Sequence, residues 1–199
     1  MAKLMNWNRF ERTLKDKRLL LFSVMDIRRL FGVTQVAATF LVHRYSKKGF
    51  IVRAKRGLYL FPDALPPDPL IANKMYQPSY LSLEFALSYH RVIPETVYEM
   101  TSVTTKSTRR FETLGKIYSY RSVTRAAFTG YRIEKQKGSG FLIADPEKAF
   151  VDANYFRIFD GLDPLSRFDR EKISPEKALR YARLFNDSKL LNILERVFK

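Results

Sequence analysis

The sequence predicts an α+β fold in two parts, and three observations carry that expectation. Two helical patterns, separated only by Gly32-Val33-Thr34, are followed by a basic hairpin pattern over residues 50–61. Four prolines then fall within residues 62–69. Beyond them, runs rich in Tyr, Ile and Val precede a series of helix-start signals. Strands read as alternating apolar residues and helices as a 3.6-residue recurrence, so each part mixes both kinds of element.

The front part begins with a helix expected over residues 6–15, where Trp7, Phe10 and Leu14 share a face. Leu19–Phe22 is a short apolar run that suits a single strand pairing with the later hairpin. Ser23 and Asp26 have the spacing of a capping box, with a short acid in place of Glu or Gln. Val24, Ile27, Leu30 and Phe31 give the helix that follows one apolar face, and Gly32 can end it in the left-handed conformation. Thr34 is the expected N-cap of the next helix, which should run from Gln35 to Lys48. On that helix Val36, Ala37, Phe40, Leu41 and Tyr45 are expected to face inward. Gln35, Ala38, Thr39, Val42 and Ser46 are expected to face outward, with His43 at the edge. Arg44 falls inside the apolar arc and is expected to reach past the helix end. Gly49 stops the helix, and Phe50–Arg53 and Leu58–Phe61 read as strands joined by the basic turn Ala54-Lys55-Arg56-Gly57. Two steeply crossed helices followed by such a hairpin make a winged helix-turn-helix.

The proline segment can enter neither a helix interior nor a sheet, so it reads as a stiff linker. The expected division is a winged domain at 1–62, a linker at 63–69 and an α+β domain at 70–199. In the back part, helices are expected at Leu70–Tyr76 and Ser82–His90, and strands at Val97–Ser102, Lys116–Val123, Tyr131–Lys135 and Phe141–Ala144. Gly138-Ser-Gly140 reads as the turn of the last hairpin. Asp145-Pro146 and Ser174-Pro175 each pair an N-cap with a proline at the first helical position, opening helices to about Phe159 and Phe185. A last helix should end near Phe198. The whole is an N-terminal winged helix-turn-helix followed by a small mixed β-sheet domain with C-terminal helices.

Charge separates the two parts. Residues 1–62 hold 14 Lys and Arg against 3 Asp and Glu, a net of +11, while residues 63–199 hold 22 against 17, a net of +5. The chain total is +16, and the excess sits on the front third. Such a surplus favours polyanions, with binding that weakens as salt rises. Sixteen Phe and eleven Tyr argue against disorder. The absence of Cys excludes disulfides, thiolate zinc sites and a thiol nucleophile. Residues 1–12 are polar, unlike a secretory leader, and no apolar run approaches membrane-spanning length, so the cytoplasm is the expected compartment and no membrane partner is expected.

The candidate DNA-binding set is Thr34, Gln35, Ala38, Thr39, His43, Lys47, Lys48, Arg53, Lys55 and Arg56. Gln35 can make paired hydrogen bonds to adenine, and Ala38 and Thr39 can meet a thymine methyl. The cations would hold phosphates or enter the minor groove. A second set, Thr104, Thr105, Lys106, Arg109 and Arg110, mixes hydroxyls with cations in a polar loop and suits phosphate oxygens or a partner. His90 is expected to sit as a cation at a helix C-terminus. Asp145-Pro-Glu-Lys148 superficially suggests a nuclease, but no Glu in the chain is followed by Lys two positions later, and capping explains the run. No catalytic residue, metal or cofactor is expected.

The stretch Tyr76–Val123, followed by Ile143–Tyr155, resembles the C-terminal region of AbiEi-type antitoxins, also described as transcriptional regulators of viral defence systems. The basic hairpin Lys55-Arg-Gly-Leu-Tyr59 and the winged domain are similar to the rest of that family, and the resemblance runs from about Met5 to Phe198. It implies an antitoxin of a toxin–antitoxin, abortive-infection system. The winged domain would bind inverted repeats in its own promoter and repress it. The C-terminal domain would counter a nucleotidyltransferase-type toxin, by direct contact or otherwise. The chain would be a monomer in solution, with two copies on the operator. An alternative from the residues alone is a winged domain that recognises an acidic protein partner without specific DNA recognition.

Overall fold

The computed structural model describes residues 5–136 and 138–199, so the first four positions of the expected N-terminal domain lie outside the described residues. The fold is α+β, in two units that divide between Pro67 and Asp68. That boundary lies inside the proline segment.

Local caps build the helices of the first unit. Asn6 Oδ1 accepts from Arg9 N at 2.9 Å and starts α1 (Trp7–Asp16), whose Phe10 and Leu14 are fully buried. Strand β1 (Leu21–Ser23) leads directly into α2 (Val24–Phe31). At that junction Ser23 Oγ accepts from Asp26 N at 3.2 Å, and the Asp26 carboxylate accepts from Ser23 N at 2.8 Å, a complete capping box. Gly32 ends α2 at φ 63°, a conformation that an L side chain resists. Thr34 Oγ1 then accepts from Ala37 N at 3.2 Å and starts α3 (Gln35–Lys47).

The hairpin begins two residues later than the sequence predicts. Phe50 N is still held by Tyr45 O at 3.0 Å, and Ile51 is buried in the core, so neither joins the strand. Strands β2 (Val52–Lys55) and β3 (Leu58–Leu60) pair antiparallel around the two-residue turn Arg56-Gly57. The register shifts between Arg53 and Lys55, leaving Ala54 as a buried bulge. As expected, β1 pairs with the hairpin, on β3, giving the order β1-β3-β2.

The buried face of α3 differs from the expected one. Ala38, Leu41, Val42 and Tyr45 are buried with Phe10, Leu14, Phe22, Ile27, Ile51 and Phe61. Val36 and Phe40, expected inside, are 64% and 69% exposed. The helix is apolar around most of its girth, so spacing alone does not choose a face; side-chain fit against the rest of this core, Ile27 of α2 included, does. Arg44 does not reach past the helix end either. Its Nη2 donates to Met5 O at 2.6 Å and to Tyr45 Oη at 2.9 Å, while Tyr45 Oη donates to the same carbonyl at 2.7 Å. The N-terminal carbonyl supplies a nearer acceptor than solvent.

The second unit opens with α4 (Asp68–Met75), two residues earlier than expected. Pro69 sits in its first turn, where a missing N–H leaves nothing unpaired. The unit then runs through β4 (Ser79–Leu81), α5 (Leu83–Tyr89), β5 (Met100–Thr104), β6 (Arg109–Thr113), β7 (Lys116–Ser122), β8 (Tyr131–Gln136) and β9 (Ser139–Ala144). It closes with α6 (Pro146–Phe159), a 3₁₀ turn at Arg170–Lys172, α7 (Pro175–Arg183) and α8 (Ser188–Val197). The six strands form one sheet in the order β6-β7-β5-β4-β9-β8. β4 pairs parallel with β9 and β5 with β7, and the other neighbours are antiparallel. Strands β4 and β6 are absent from the sequence expectation, and the segment read as a polar loop after residue 101 is largely strand. The last hairpin turns before Ser139, which is already paired with Gln136, rather than across residues 138–140.

Helix α6 is buried along most of its length and organises the second core. Asp145 caps it, accepting from Lys148 N at 2.8 Å. One turn on, the buried Asp152 carboxylate accepts from Lys148 Nζ, from Ser82 Oγ at 2.7 Å and from Tyr80 Oη at 3.1 Å. Burial pushes the Asp152 carboxyl above the usual carboxylate value, against the pull of Lys148 and the two hydroxyls. Glu147 accepts from Lys177 Nζ at 2.8 Å, and Asp145 also accepts from Tyr181 Oη at 2.7 Å. Asp145 and Glu147 thus tie α6 to α7, while Lys148 pairs within α6.

Candidate nucleic-acid interface

The exposed flank of α3 follows from its buried one. At 100° per residue, Gln35, Thr39, His43, Val36, Lys47 and Phe40 fall in that order across an arc of roughly 140°. All six are exposed. Of the residues expected to contact DNA, Thr34 caps the helix and remains exposed, and Gln35, Thr39, His43, Lys47 and Lys48 lie on the open side or at the C-terminal end. Thr39 Oγ1 donates back to Gln35 O at 2.9 Å, which fixes its rotamer and turns its methyl group away from that bond. Ala38 is a correction: it is fully buried beneath the helix and can touch no outside partner.

The hairpin follows α3 after four residues. Arg53 and Arg56 are exposed, and Lys55 is partly buried on the strand beside the turn. Gly57, at φ 82°, lets the chain turn in two residues, so Arg56 projects from the very tip.

Electrostatics in the first unit are one-sided because its acids are occupied. Lys15 Nζ lies 2.6 Å from Glu11 and 2.8 Å from Asp63. The hydrogen bond from Lys15 holds the Asp63 carboxyl below the usual carboxylate value. Asp16 pairs with Arg12 at 3.7 Å, and Asp26 is committed to the capping box. Among the described residues, Arg28, Arg29, Lys47, Lys48, Arg53 and Arg56 are exposed and have no ion-pair partner. Arg28 and Arg29 on α2 are absent from the sequence-predicted set. The signal for them was present in the sequence, two adjacent arginines in the last turn of the helix before α3.

The second candidate set is dispersed by the structure. Thr104 is a correction: it is buried, its Oγ1 donating to Pro78 O at 2.7 Å and accepting from Lys106 N at 3.2 Å. Thr105 is partly buried, and the exposed Lys106 lies 5.7 Å from the Tyr76 ring centre. Arg109 and Arg110 are exposed on the edge strand β6 and border a cleft of about 350 Å³. Arg121 and Arg157 also line that cleft, as do Glu84, Glu99 and Asp160. Arg121 is already held in a two-pronged pair with Asp160 at 2.8 and 2.9 Å, its guanidinium 4.4 Å from the Phe156 ring centre. Both signs of charge meet there, so the cleft lacks the one-signed field of the first unit.

His90 also corrects the expectation. Its Nε2 lies 2.8 Å from Ala144 O, and burial lowers its pKa, so the neutral ring is favoured over a cation. Among the described residues no group of three or more His, Asp or Glu is placed to hold a metal ion, and no helix is long and apolar enough to cross a membrane.

No protein-family model and no curated protein matches the chain. Among solved structures, the crystal structure of the Rv2827c protein from Mycobacterium tuberculosis is similar, with a TM-score of 0.61 at 13% identity. The match covers 96% of this chain and 75% of that one, and at such identity it speaks to the fold alone.

Proposed function

We propose that the protein is a DNA-binding autorepressor of the AbiEi-type antitoxin class. In this reading the first unit is a winged helix-turn-helix, α3 is its recognition helix and the β2–β3 hairpin is its wing. Gln35, Thr39 and His43 meet base edges in the major groove. Lys47, Lys48, Arg53, Lys55 and Arg56 hold phosphates or enter the neighbouring minor groove, and Arg28 and Arg29 grip the backbone from α2. The second unit counters a nucleotidyltransferase-type toxin, without enzymatic activity of its own. The protein acts in the cytoplasm as a monomer, two copies occupying inverted repeats in its own promoter.

The observation that carries the DNA-binding reading is the occupied state of every acid in the first unit beside exposed cations without an ion-pair partner, among them Arg28, Arg29, Lys47, Lys48, Arg53 and Arg56. In this reading the exposed flank of α3 bearing Gln35 reads bases, and the exposed Arg56 at the hairpin turn holds backbone. The antitoxin assignment is supported by the resemblance of residues 76–123 and 143–155 to that family.

A gel shift with the DNA upstream of the protein's own gene tests it. Wild-type protein should shift that fragment at low salt, and the affinity should fall steeply as salt rises. Arg56→Ala should weaken binding to all sequences alike and flatten the salt dependence. Gln35→Ala should instead relax preference at one base pair, with a loss of about 1–3 kcal/mol there. No shift at low salt would leave the winged unit as a surface for an acidic protein.

A further inference from the structure

We infer that Val36 and Phe40 make the recognition helix a reader of thymine, through the C5 methyl groups of neighbouring base pairs. Resting on the DNA-binding reading above, this names what the apolar half of the α3 flank is for. Both side chains are large, apolar and open, at 64% and 69% exposure, on a helix whose opposite face fills the core. They occupy the second and sixth positions of α3, one turn apart, in the same arc as Gln35, Thr39 and His43. A helical turn rises about 5.4 Å, so the pair spans one to two base-pair steps of about 3.4 Å.

Chemistry selects the occupant. Exposed apolar groups gain by covering apolar surface, and thymine C5 methyls are the apolar groups that the major groove presents. Cations border the patch along the helix: Lys47 lies on the same exposed arc of α3 and Lys48 caps its C-terminal end. An apolar strip that runs into exposed lysines without ion-pair partners suits a duplex, whose phosphates flank the methyl-bearing edges. A second copy of the chain would bring like charges together around the same patch. Neither Arg nor Lys can report a methyl group, so this readout is independent of the contacts already assigned to the cations. It complements Gln35, which would read adenine by paired hydrogen bonds within the same major groove.

The test uses the full chain and synthetic duplexes. A preferred sequence is first selected from a randomised duplex pool. Each thymidine in it is then replaced in turn by deoxyuridine, which differs only in lacking the methyl group. Two neighbouring replacements should each weaken wild-type binding roughly 3- to 4-fold, the value of one buried methyl-sized group. In Phe40→Ala one of the two replacements should lose its effect, and in Val36→Ala the other should. Both side chains are exposed, so the variants should keep the wild-type circular dichroism and melting temperature. A selected sequence at which no deoxyuridine replacement matters would overturn the inference while leaving sequence-specific DNA binding intact. Failure to select any sequence would defeat the DNA-binding reading itself and the inference with it. A concentration-dependent dimer of the free protein that Phe40→Ala abolishes would assign the patch to a second copy and equally overturn the inference.

Discussion

Replacing Asp152 by Ala should strip the second unit of much of its stability. The carboxylate is fully buried and accepts from Lys148 Nζ, Ser82 Oγ and Tyr80 Oη. Lys148 is equally buried, its ammonium 5.8 Å from the Tyr80 ring centre and 4.7 Å from that of Phe185. Those rings offer partial charge, not an acceptor. Without Asp152 the ammonium has no counter-ion, and removing one partner of a buried pair costs about 3–5 kcal/mol. The two orphaned hydroxyls lie within that figure, because the same event strands them. Against a total stability of about 5–15 kcal/mol, this is enough to leave a sizeable unfolded fraction. Removing both charges is a different matter: Lys148→Met with Asp152→Leu deletes the desolvation of both ions and should fall within about 1–2 kcal/mol of wild type. Urea unfolding followed by far-UV circular dichroism would give the midpoints for wild type, Asp152→Ala, the singles Lys148→Met and Asp152→Leu, and the double variant. The cycle should then show a coupling of more than about 2 kcal/mol. If Asp152→Ala cost less than about 1 kcal/mol, or if the double variant lost the sum of the two singles, the pair would not be the buried, mutually dependent unit described above.

Two further outcomes test other parts of the fold. Gly130 has φ 75°, and a Cβ there would meet Tyr181 Cζ at 2.8 Å and Lys148 Cγ at 2.9 Å. Gly130→Ala should therefore destabilise by about 2 kcal/mol or more, combining backbone strain with overpacking, whereas Gly115→Ala, with φ 69° but open space around it, should show the strain alone; equal midpoints for the two would contradict the packing. Burial places the folded pKa of His90 below its ordinary 6.5, so the unfolded state binds more protons between the two values. The contribution is complete above about pH 6.5 and is lost as pH falls below it. Between about pH 7.5 and about pH 5.5, His90→Gln should lose less melting temperature than wild type, and parallel curves would remove His90 from the account.

The parts of the fold that were legible in the sequence are those fixed within a few residues. The Ser23–Asp26 box, Gly32, Thr34, Asp145-Pro146 and Ser174-Pro175 all bound helices where expected, because each cap satisfies its own backbone groups locally. Strands β4 and β6 were not legible. β4 is three residues long and is defined by partners at Thr104, Val103, Ser102 and Ile143, and β6 begins with two arginines whose strand state comes from pairing with β7. The facing of α3 failed for a related reason. Its apolar residues surround the helix, and only its neighbours in the core, Ile27 of α2 among them, decide that Ala38 and Val42 go in while Val36 and Phe40 stay out. For the candidate site, the error removed Ala38 and hid two side chains of the exposed flank. Thr104 was misjudged because a hydroxyl-rich run looks solvated until its strand partners are known.

The parallel pairing of β4 with β9 has a consequence for how the chain is made. Leu81 waits for Ile143, so the middle of the second sheet stays open on one side while the ribosome adds the intervening residues. Such distant pairings close slowly and leave unpaired peptide groups exposed to neighbours in the meantime. A nascent chain arrested before residue 139 carries the exposed edge of β4 and lacks the Asp152 carboxylate to which Tyr80 and Ser82 donate. Premature termination should therefore yield aggregates or protease fragments of the second unit, while the first, complete by Pro67, can finish folding as it emerges.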